Sequence, residues 1–372
     1  MKFYDQYIEA AFIDRPNRFV MHLKFKGKEI RAYVPNTGRM EEFLYKGATF
    51  FLAYHPSEKF DYKVVATRYQ GHLVFLDTVK VNTVFHELLK AGKIPEFSGI
   101  KTIQREVKYK NSRIDFLLTF ADDTQALVEV KSCTLIHNGV AMFPDAPTVR
   151  GKKHIDELNK NKFPGIKKYV YFLITNFGAE KFHPNYHVDY EYANSFLAAR
   201  KVRFCAGKIA LPDPVTIDLG SFTPVPVDYS KTMENAIKKG AYLLLMENKS
   251  VQEITVGKLG KVSFQPGYYV YAGSGMANLD KRVKHHQLKK KSFHYHIDYI
   301  TPGFMKIKKT FLVRTTERIE SELAVKIGKV CDEMVDGFGC SDTKEKSHLF
   351  YFQNNPLRNQ AFYKILLSFR EK

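Results

Sequence analysis

Residues Ser112 to Thr134 read SRIDFLLTFADDTQALVEVKSCT. Two apolar runs, Ile114 to Phe120 and Ala126 to Val130, flank Ala121-Asp122-Asp123-Thr124. Apolar and β-branched runs around an Asp-rich turn predict a β-hairpin. Centred on Asp122, that hairpin sets Asp115 directly opposite Glu129, because both lie seven residues from the centre. Directly opposed residues share a face, with Cβ atoms roughly 4.5–5.5 Å apart. Lys131, two residues past Glu129, points the same way. Two carboxylates and one ammonium therefore converge on one face of otherwise apolar strands.

Neighbouring carboxylates repel one another and call for a cation between them. A site with few protein oxygens suits Mg²⁺, which keeps several waters and takes one or two carboxylates. Such an ion polarises a phosphoryl oxygen and lowers the pKa of a bound water, and a lysine stabilises the charge that develops. The pattern thus predicts phosphodiester hydrolysis with Mg²⁺ or Mn²⁺. The competing reading is a cross-strand ion pair on a solvated hairpin. The apolar residues on both faces (Phe116, Leu117, Leu118, Leu127, Val128, Val130) argue instead for core strands.

Upstream, six short alternating segments between Glu9 and Leu76, separated by turns such as Lys26-Gly27-Lys28, predict a small OB-like barrel over residues 1–81. Arg39, beside Asn36 and Gly38, is a candidate phosphate contact. From residue 82 to 210 strands and helices alternate, which predicts an α/β domain. Asn82 is read as the cap of a helix from Thr83 to Ala91. A second helix, Thr148 to Asn161, carries Arg150, Lys152, Lys153 and His154 in its first turns, where a helix N-terminus already favours phosphate. Residues 211–228 hold four prolines and read as a linker, with a last domain over residues 229–372.

The segments SRIDFLL, VEVKSCTL and MFPDAPTVRGKKHIDEL, with VPNTGRM at Val34 to Met40, resemble the sugar fermentation stimulation protein family (SfsA) over about residues 1–228. That resemblance implies an OB-like domain followed by a PD-(D/E)XK nuclease-like domain. It implies Asp115, Glu129 and Lys131 as the catalytic triad, Asp115 and Glu129 as metal ligands, and Glu106 as an upstream acidic partner. Asn176 and Tyr190 depart from the family pattern, where a basic residue and a proline are expected.

The last domain pairs Gly240-Ala241-Tyr242 with Tyr271-Ala272-Gly273, and Arg282 follows nine residues after Gly273. With KSFHYHIDYI (Lys291 to Ile300) and FGCSDTKEKSHLFY (Phe338 to Tyr351), this resembles a GIY-YIG-related branch of nucleases. The resemblance implies Tyr242, Tyr271, Arg282 and Glu320 as catalytic residues. Lys281, Lys284 and His286, on a helix from about Asn278, are expected to meet nucleic acid. Cys331, Cys340, His348, His294 and His296 lack zinc spacing, and Thr343 stands where another cysteine is expected, so no zinc site is predicted.

Composition fits these expectations. The 372 residues hold 58 basic and 39 acidic side chains, a formal charge of +19, which points to a polyanionic partner. Four scattered cysteines without a CxxC pair exclude a disulfide framework. No signal peptide and no run of about 18 apolar residues are visible, so the expected location is the cytoplasm, without a membrane. Tryptophan is absent, and base stacking would fall to the 30 Phe and 22 Tyr. The reading is a DNA-binding protein and metal-dependent nuclease. Its rivals are a non-catalytic DNA-binding transcriptional regulator and an RNA-processing enzyme.

Overall fold

A computed structural model describes residues 1–109, 112–160, 165–340 and 344–371. The chain forms two compact units, residues 1–185 with 189–232, and residues 186–188 with 233–372.

The first unit opens with strands β1 (Tyr7–Asn17), β2 (Val20–Phe25), β3 (Lys28–Tyr33), β4 (Thr49–Tyr54), β5 (Tyr62–Tyr69) and β6 (His72–Phe75). Their order is β3-β2-β1-β4-β5-β6, and a further pairing of β3 with β5 closes five of them into a barrel. Met21 and Leu23 on β2, Phe50 and Leu52 on β4, and Val64 on β5 fill its interior. Lys26 and Gly27, both at positive φ (46° and 82°), make the tight turn between β2 and β3, as the twist of a two-residue hairpin loop requires.

Helix α1 (Val81–Lys90) then leads to β7 (Ile100–Tyr109), β8 (Ser112–Phe120) and β9 (Gln125–Cys133). The short strands β10 (Ile136–His137) and β11 (Val140–Phe143), helix α2 (Val149–Asn159), β12 (Ile166–Ile174), β13 (Lys181–Pro184), α3 (Tyr190–Ala198), β14 (Arg203–Asp213) and β15 (Thr216–Val225) complete the unit. The main sheet has the order β15-β14-β12-β9-β8-β7. It is parallel where β12 meets β9 and β14, and antiparallel elsewhere. One face packs against α1 through Val84, Phe85 and Leu88. The other packs against α2 and α3 through Ile155, Leu158, Tyr192 and Phe196. With both faces covered, β9 and β12 read as near-continuous apolar runs.

The hairpin register is the one the sequence predicts, with Phe116 opposite Val128 and Leu118 opposite Ala126. Two expectations need correction. Asn82 does not cap α1; Lys80 occupies that position and Asn82 lies inside the first turn. Residues 211–228 are not a free linker, because they form the end of β14 and all of β15. β15 is the edge strand of the main sheet, the place where a strand tolerates proline. Helix α2 ends at Asn159, and Asn161 lies outside the described residues.

The chain passes into the second unit within α4 (Tyr229–Asn235). Strands β16 (Gly240–Asn248), β17 (Gln252–Thr255), β18 (Lys261–Phe264) and β19 (Gly267–Ser274) follow. Helices α5 (Leu279–Gln287) and α6 (His296–Ile300), β20 (Lys306–Arg314), α7 (Glu320–Gly328), β21 (Glu333–Met334), β22 (Leu349–Phe352) and α8 (Gln360–Arg370) end the chain. The main sheet here runs β20-β16-β19-β22-β21. Gly240 sits at φ 137°, and a Cβ there would lie 2.0 Å from the Val313 carbonyl oxygen. That close approach is open only to glycine. Among the described residues, no helix is long and apolar enough to cross a membrane.

Candidate functional site

The hairpin ladder ends at a carboxylate. Phe120 N donates to Thr124 O, so hydrogen-bonded pairs recur every second residue back along β8. In that register Val130 N would next meet the Ile114 carbonyl. It donates instead to Asp115 Oδ2 at 2.7 Å, and Asn82 Nδ2 donates to Asp115 Oδ1, also at 2.7 Å. The Asp115 side chain thus takes a ladder position, braced from α1 by a residue that the sequence reading gave only a capping role.

On β9, Leu127 packs into the face covered by α2, and Glu129 and Lys131 follow it with the two-residue period of a strand. Glu129 is 2% exposed. Its Oε1 accepts from Lys131 Nζ and from His154 Nδ1, each at 2.5 Å. Its Oε2 is buried without a hydrogen-bond partner. Helix α2, anchored by Ile155 and Leu158 and capped by the Thr148 hydroxyl on Gly151 N at 3.0 Å, delivers the buried His154.

The two carboxyls differ in character. Burial, then the charge of Glu129, pushes Asp115 up to about 6, against the hydrogen bonds from Val130 and Asn82. Burial acts on Glu129 in the same sense, but the bond from His154 and the Lys131 charge outweigh it and hold Glu129 below its ordinary value. For Asp115 the folded pKa is raised above the unfolded one, so its stabilising contribution is complete below pH ~4 and is lost as pH rises through about 6. Without divalent cations, the wild type should lose stability relative to Asp115→Asn over that window. Chemical unfolding at pH 4, 5, 6 and 7 reads the difference, and a constant offset would contradict it.

The remaining predicted residues separate. Glu106, at φ 54°, lies across from Asp115 in the β7–β8 register, but its exposed carboxylate pairs with Arg113 at 3.3 Å. Lys152 pairs with Asp156 at 2.8 Å and Lys153 with Glu157 at 3.7 Å along α2. Arg150 is exposed, and His154 turns inward. The expected basic cluster is therefore split, with His154 part of the Glu129 site rather than a surface contact. Asn36 is buried, and its Oδ1 accepts from Gly38 N at 2.8 Å to form the turn. Arg39 is exposed. Arg15, unremarked in the sequence, fastens this loop through the carbonyls of Gly38 and Arg39 at 2.8 Å and of Asn36 at 2.9 Å. Asn176 makes a local turn to Gly178 N, and Tyr190 opens α3 behind its cap, Asp189.

In the second unit, Tyr242 opposes Gly273 and Leu244 opposes Tyr271. The two tyrosines therefore share a face, with ring centroids 6.2 Å apart. Tyr242 Oη and His286 Nε2 are 2.7 Å apart, and His286 Nδ1 lies 3.2 Å from Asp298 Oδ1. Asp298, fully buried, also receives Lys291 Nζ at 3.0 Å, His285 Nε2 at 3.2 Å and the backbone N–H groups of His294 and Tyr295 at 3.1 Å. Burial opposes its ionisation, but the bonds from His286 and Lys291 hold it well below the usual carboxylate range. Burial in turn lowers the His286 pKa. An ionised Asp298 fixes the proton of a neutral imidazole on Nδ1, so Tyr242 O–H donates to Nε2.

His286 is 1% exposed, which corrects its placement among nucleic-acid contacts, while Lys281 and Lys284 are exposed. Arg282 lies 4.3 Å over the Tyr295 ring. Its charge acts on both tyrosines and on Glu320, and Glu320 also pairs with His348 at 3.4 Å. Among the described residues, His285, His286 and Asp298 have ligand atoms within mutual reach, but the Lys291 ammonium occupies the same carboxylate. Thr343 lies outside the described residues.

Residues 13–76 match the SfsA N-terminal OB domain, residues 80–211 the sugar fermentation stimulation protein RE domain, and residues 241–370 the domain of unknown function DUF123. A sugar fermentation stimulation protein homolog of Clostridium kluyveri is 37% identical over 203 residues, which cover 54% of this chain and 88% of the relative. That of Clostridium tetani is 40% identical over 194 residues, covering 52% and 84%. The solved structure of Pyrococcus furiosus SfsA in complex with Ca²⁺ is 27% identical, with a TM-score of 0.56, covering 61% of this chain and 99% of that one.

Proposed function

The chain belongs to the sugar fermentation stimulation protein family, and from that premise we propose that it binds DNA and hydrolyses phosphodiester bonds at the Asp115–Glu129–Lys131 site with a divalent cation. The observation that carries this reading is Glu129 Oε2, an ionised, buried oxygen without a partner on the strand that faces Asp115. Buried polar atoms left unpaired are rare and ask for an explanation, and a cation supplies one. The P. furiosus relative was solved with Ca²⁺, and the all-oxygen donors fit Mg²⁺ or Mn²⁺ equally. When bound, the ion would polarise a phosphoryl oxygen and acidify a water.

The protein's own groups do the rest. Asn82 and Val130 N hold the Asp115 carboxylate in place. His154 fixes the Glu129 side chain from α2. Lys131, with its side chain 16% exposed, can turn from Glu129 toward a phosphate oxygen and stabilise charge there. Glu129→Gln is expected to weaken Mn²⁺ binding by at least about tenfold, since replacing even a residue that only supports a ligand costs about 10–100-fold in affinity, and to remove cleavage. Calorimetry and a nicking assay on DNA and RNA, side by side at stated salt, test both. Undiminished Mn²⁺ binding would sink the metal assignment.

One observation favours the regulator reading. The Lys131 ammonium already pairs with Glu129 at 2.5 Å, so that carboxylate has a counter-charge without an ion. DNA binding with no cleavage under any divalent metal would establish that alternative. In the second unit we assign Tyr242 as a proton acceptor relayed through His286, Tyr271 as its neighbour at the reacting water, Arg282 as a phosphate contact and Glu320 as a metal ligand. The hydrogen bond from Tyr242 to His286 supports this assignment.

A further inference from the structure

A cavity of about 360 Å³ lies inside the first unit, between the barrel and the central sheet. Its barrel side is formed by Arg18 and the Asn36–Gly38 turn, and its sheet side by the end of β9 and the loop that leads to α2. A pocket of this size is at the lower end of those that enclose small ligands, enough for one ring system.

Two kinds of wall meet in it. Leu135, Met142 and Phe143 give an apolar face. Ser132 and Asp145 give a polar edge, and Ser132 Oγ is buried without a hydrogen-bond partner. Asp145 reaches across from the sheet side to accept from Met40 N at 3.2 Å. It passes so close to the barrel turn that a Cβ on Gly38 would lie 2.3 Å from Asp145 Oδ2. Arg18 stands at the rim, exposed. An apolar wall, a hydrogen-bonding edge and a guanidinium outside it match a nucleobase with its phosphate; a bare cation has no use for the apolar face, nor an acyl chain for the edge.

The position ties the cavity to the chemistry. Thr148, in the lining, caps the helix that delivers His154, and Ser132 follows Lys131 on β9 with its side chain on the opposite face of the strand, so the cavity adjoins the site across the end of β9. We infer that the cavity receives one unstacked nucleobase of the strand to be cut. Ser132 and Asp145 would meet its edge, and Arg18 the adjoining phosphate. Enzymes that act on a base draw its nucleotide out of the stack into such a pocket, at least cost from a single or damaged strand, and a strand-cutting enzyme can hold a base beside its site in the same way. The inference rests on the hydrolase reading for its substrate, but its readout does not require cleavage.

The test uses the full chain and single-stranded oligonucleotides in which 2-aminopurine is moved one position at a time, with Lys131→Ala as the non-cleaving background. Fluorescence should rise severalfold at one position on binding. Ala146→Phe, which projects a ring from the lining, should abolish that rise and weaken strand binding by about tenfold, the scale of lost base stacking. If Ala146→Phe lowers the melting temperature sharply, Ser132→Ala decides, with a smaller loss of the same signal expected. Uniform fluorescence at every position, or strand binding unaffected by a folded Ala146→Phe, overturns the inference even if the wild type cleaves. A positional signal together with a wild-type protein that cuts no strand upholds the cavity and defeats the hydrolase reading. Saturation-transfer NMR with free deoxynucleoside monophosphates separates the sources. Binding of the free nucleotides together with a silent strand would overturn the substrate-strand assignment.

Discussion

Lys131→Ala is expected to lower metal-dependent strand cleavage by about 10²–10³-fold, the usual loss when one preorganised charge-stabilising donor is removed, with DNA affinity nearly unchanged. The expectation follows from the position of the ammonium. Its side chain is 16% exposed, enough to reach a phosphate and too little to add to the outer basic surface. The overall charge of +19 spreads DNA affinity over many lysines and arginines, so one contact fewer shifts the salt slope by about one unit at most. A second consequence is local. Without Lys131, Glu129 keeps only His154 as a cationic or donating partner, and its ionisation becomes harder, so the cleavage optimum should move to higher pH. Gel-based cleavage and fluorescence anisotropy on the same oligonucleotides measure both quantities. Cleavage that survives the substitution would remove Lys131 from the mechanism. Wild-type protein that binds without cutting would leave the regulator reading.

The hairpin was legible because everything that defines it is local. A turn fixes the centre, and the two-residue period then assigns partners, so the pairing of Phe116 with Val128 and of Leu118 with Ala126 needed no tertiary information. The family resemblance was equally legible, carried by short motifs in order, and residues 13–76, 80–211 and 241–370 match as expected. Asn82 and His154 were harder to place. Each sits on a helix whose position depends on how Val84 and Phe85, or Ile155 and Leu158, pack against the sheet. Four prolines in one stretch read as a linker because composition does not distinguish an exposed edge strand from a disordered tether. His286 looked like one more basic residue on a lysine-rich helix. Only the fold of the α5–α6 segment reveals Asp298 behind it.

Asp298→Ala should destabilise the second unit by about 3–5 kcal/mol, the range seen when one partner of a buried ion pair is removed. The carboxylate gathers Lys291, His285, His286 and two backbone N–H groups. Lys291 and His286 have side-chain exposures of only 1% and 0%. Alanine would leave a buried ammonium without its counter-ion, and His286 without the acceptor that keeps its proton on Nδ1. The Tyr242 hydroxyl would then face an imidazole free to change tautomer, so loss of order should spread to the face shared with Tyr271. Asparagine preserves shape and some acceptor capacity and should cost less. The sign of the pH dependence is fixed by the depressed pKa of Asp298. Its contribution is present above the unfolded value near 3.9 and is lost as pH falls further, so the gap between wild type and Asp298→Asn should stay constant from pH 5 to 8 and close only in stronger acid. Hydrogen-exchange mass spectrometry on the full chain reads the two units separately. Faster exchange should be confined to residues 233–371, with the barrel and central sheet unaffected. Unchanged protection of β16 and α5 in Asp298→Ala would show that the carboxylate does not organise this site.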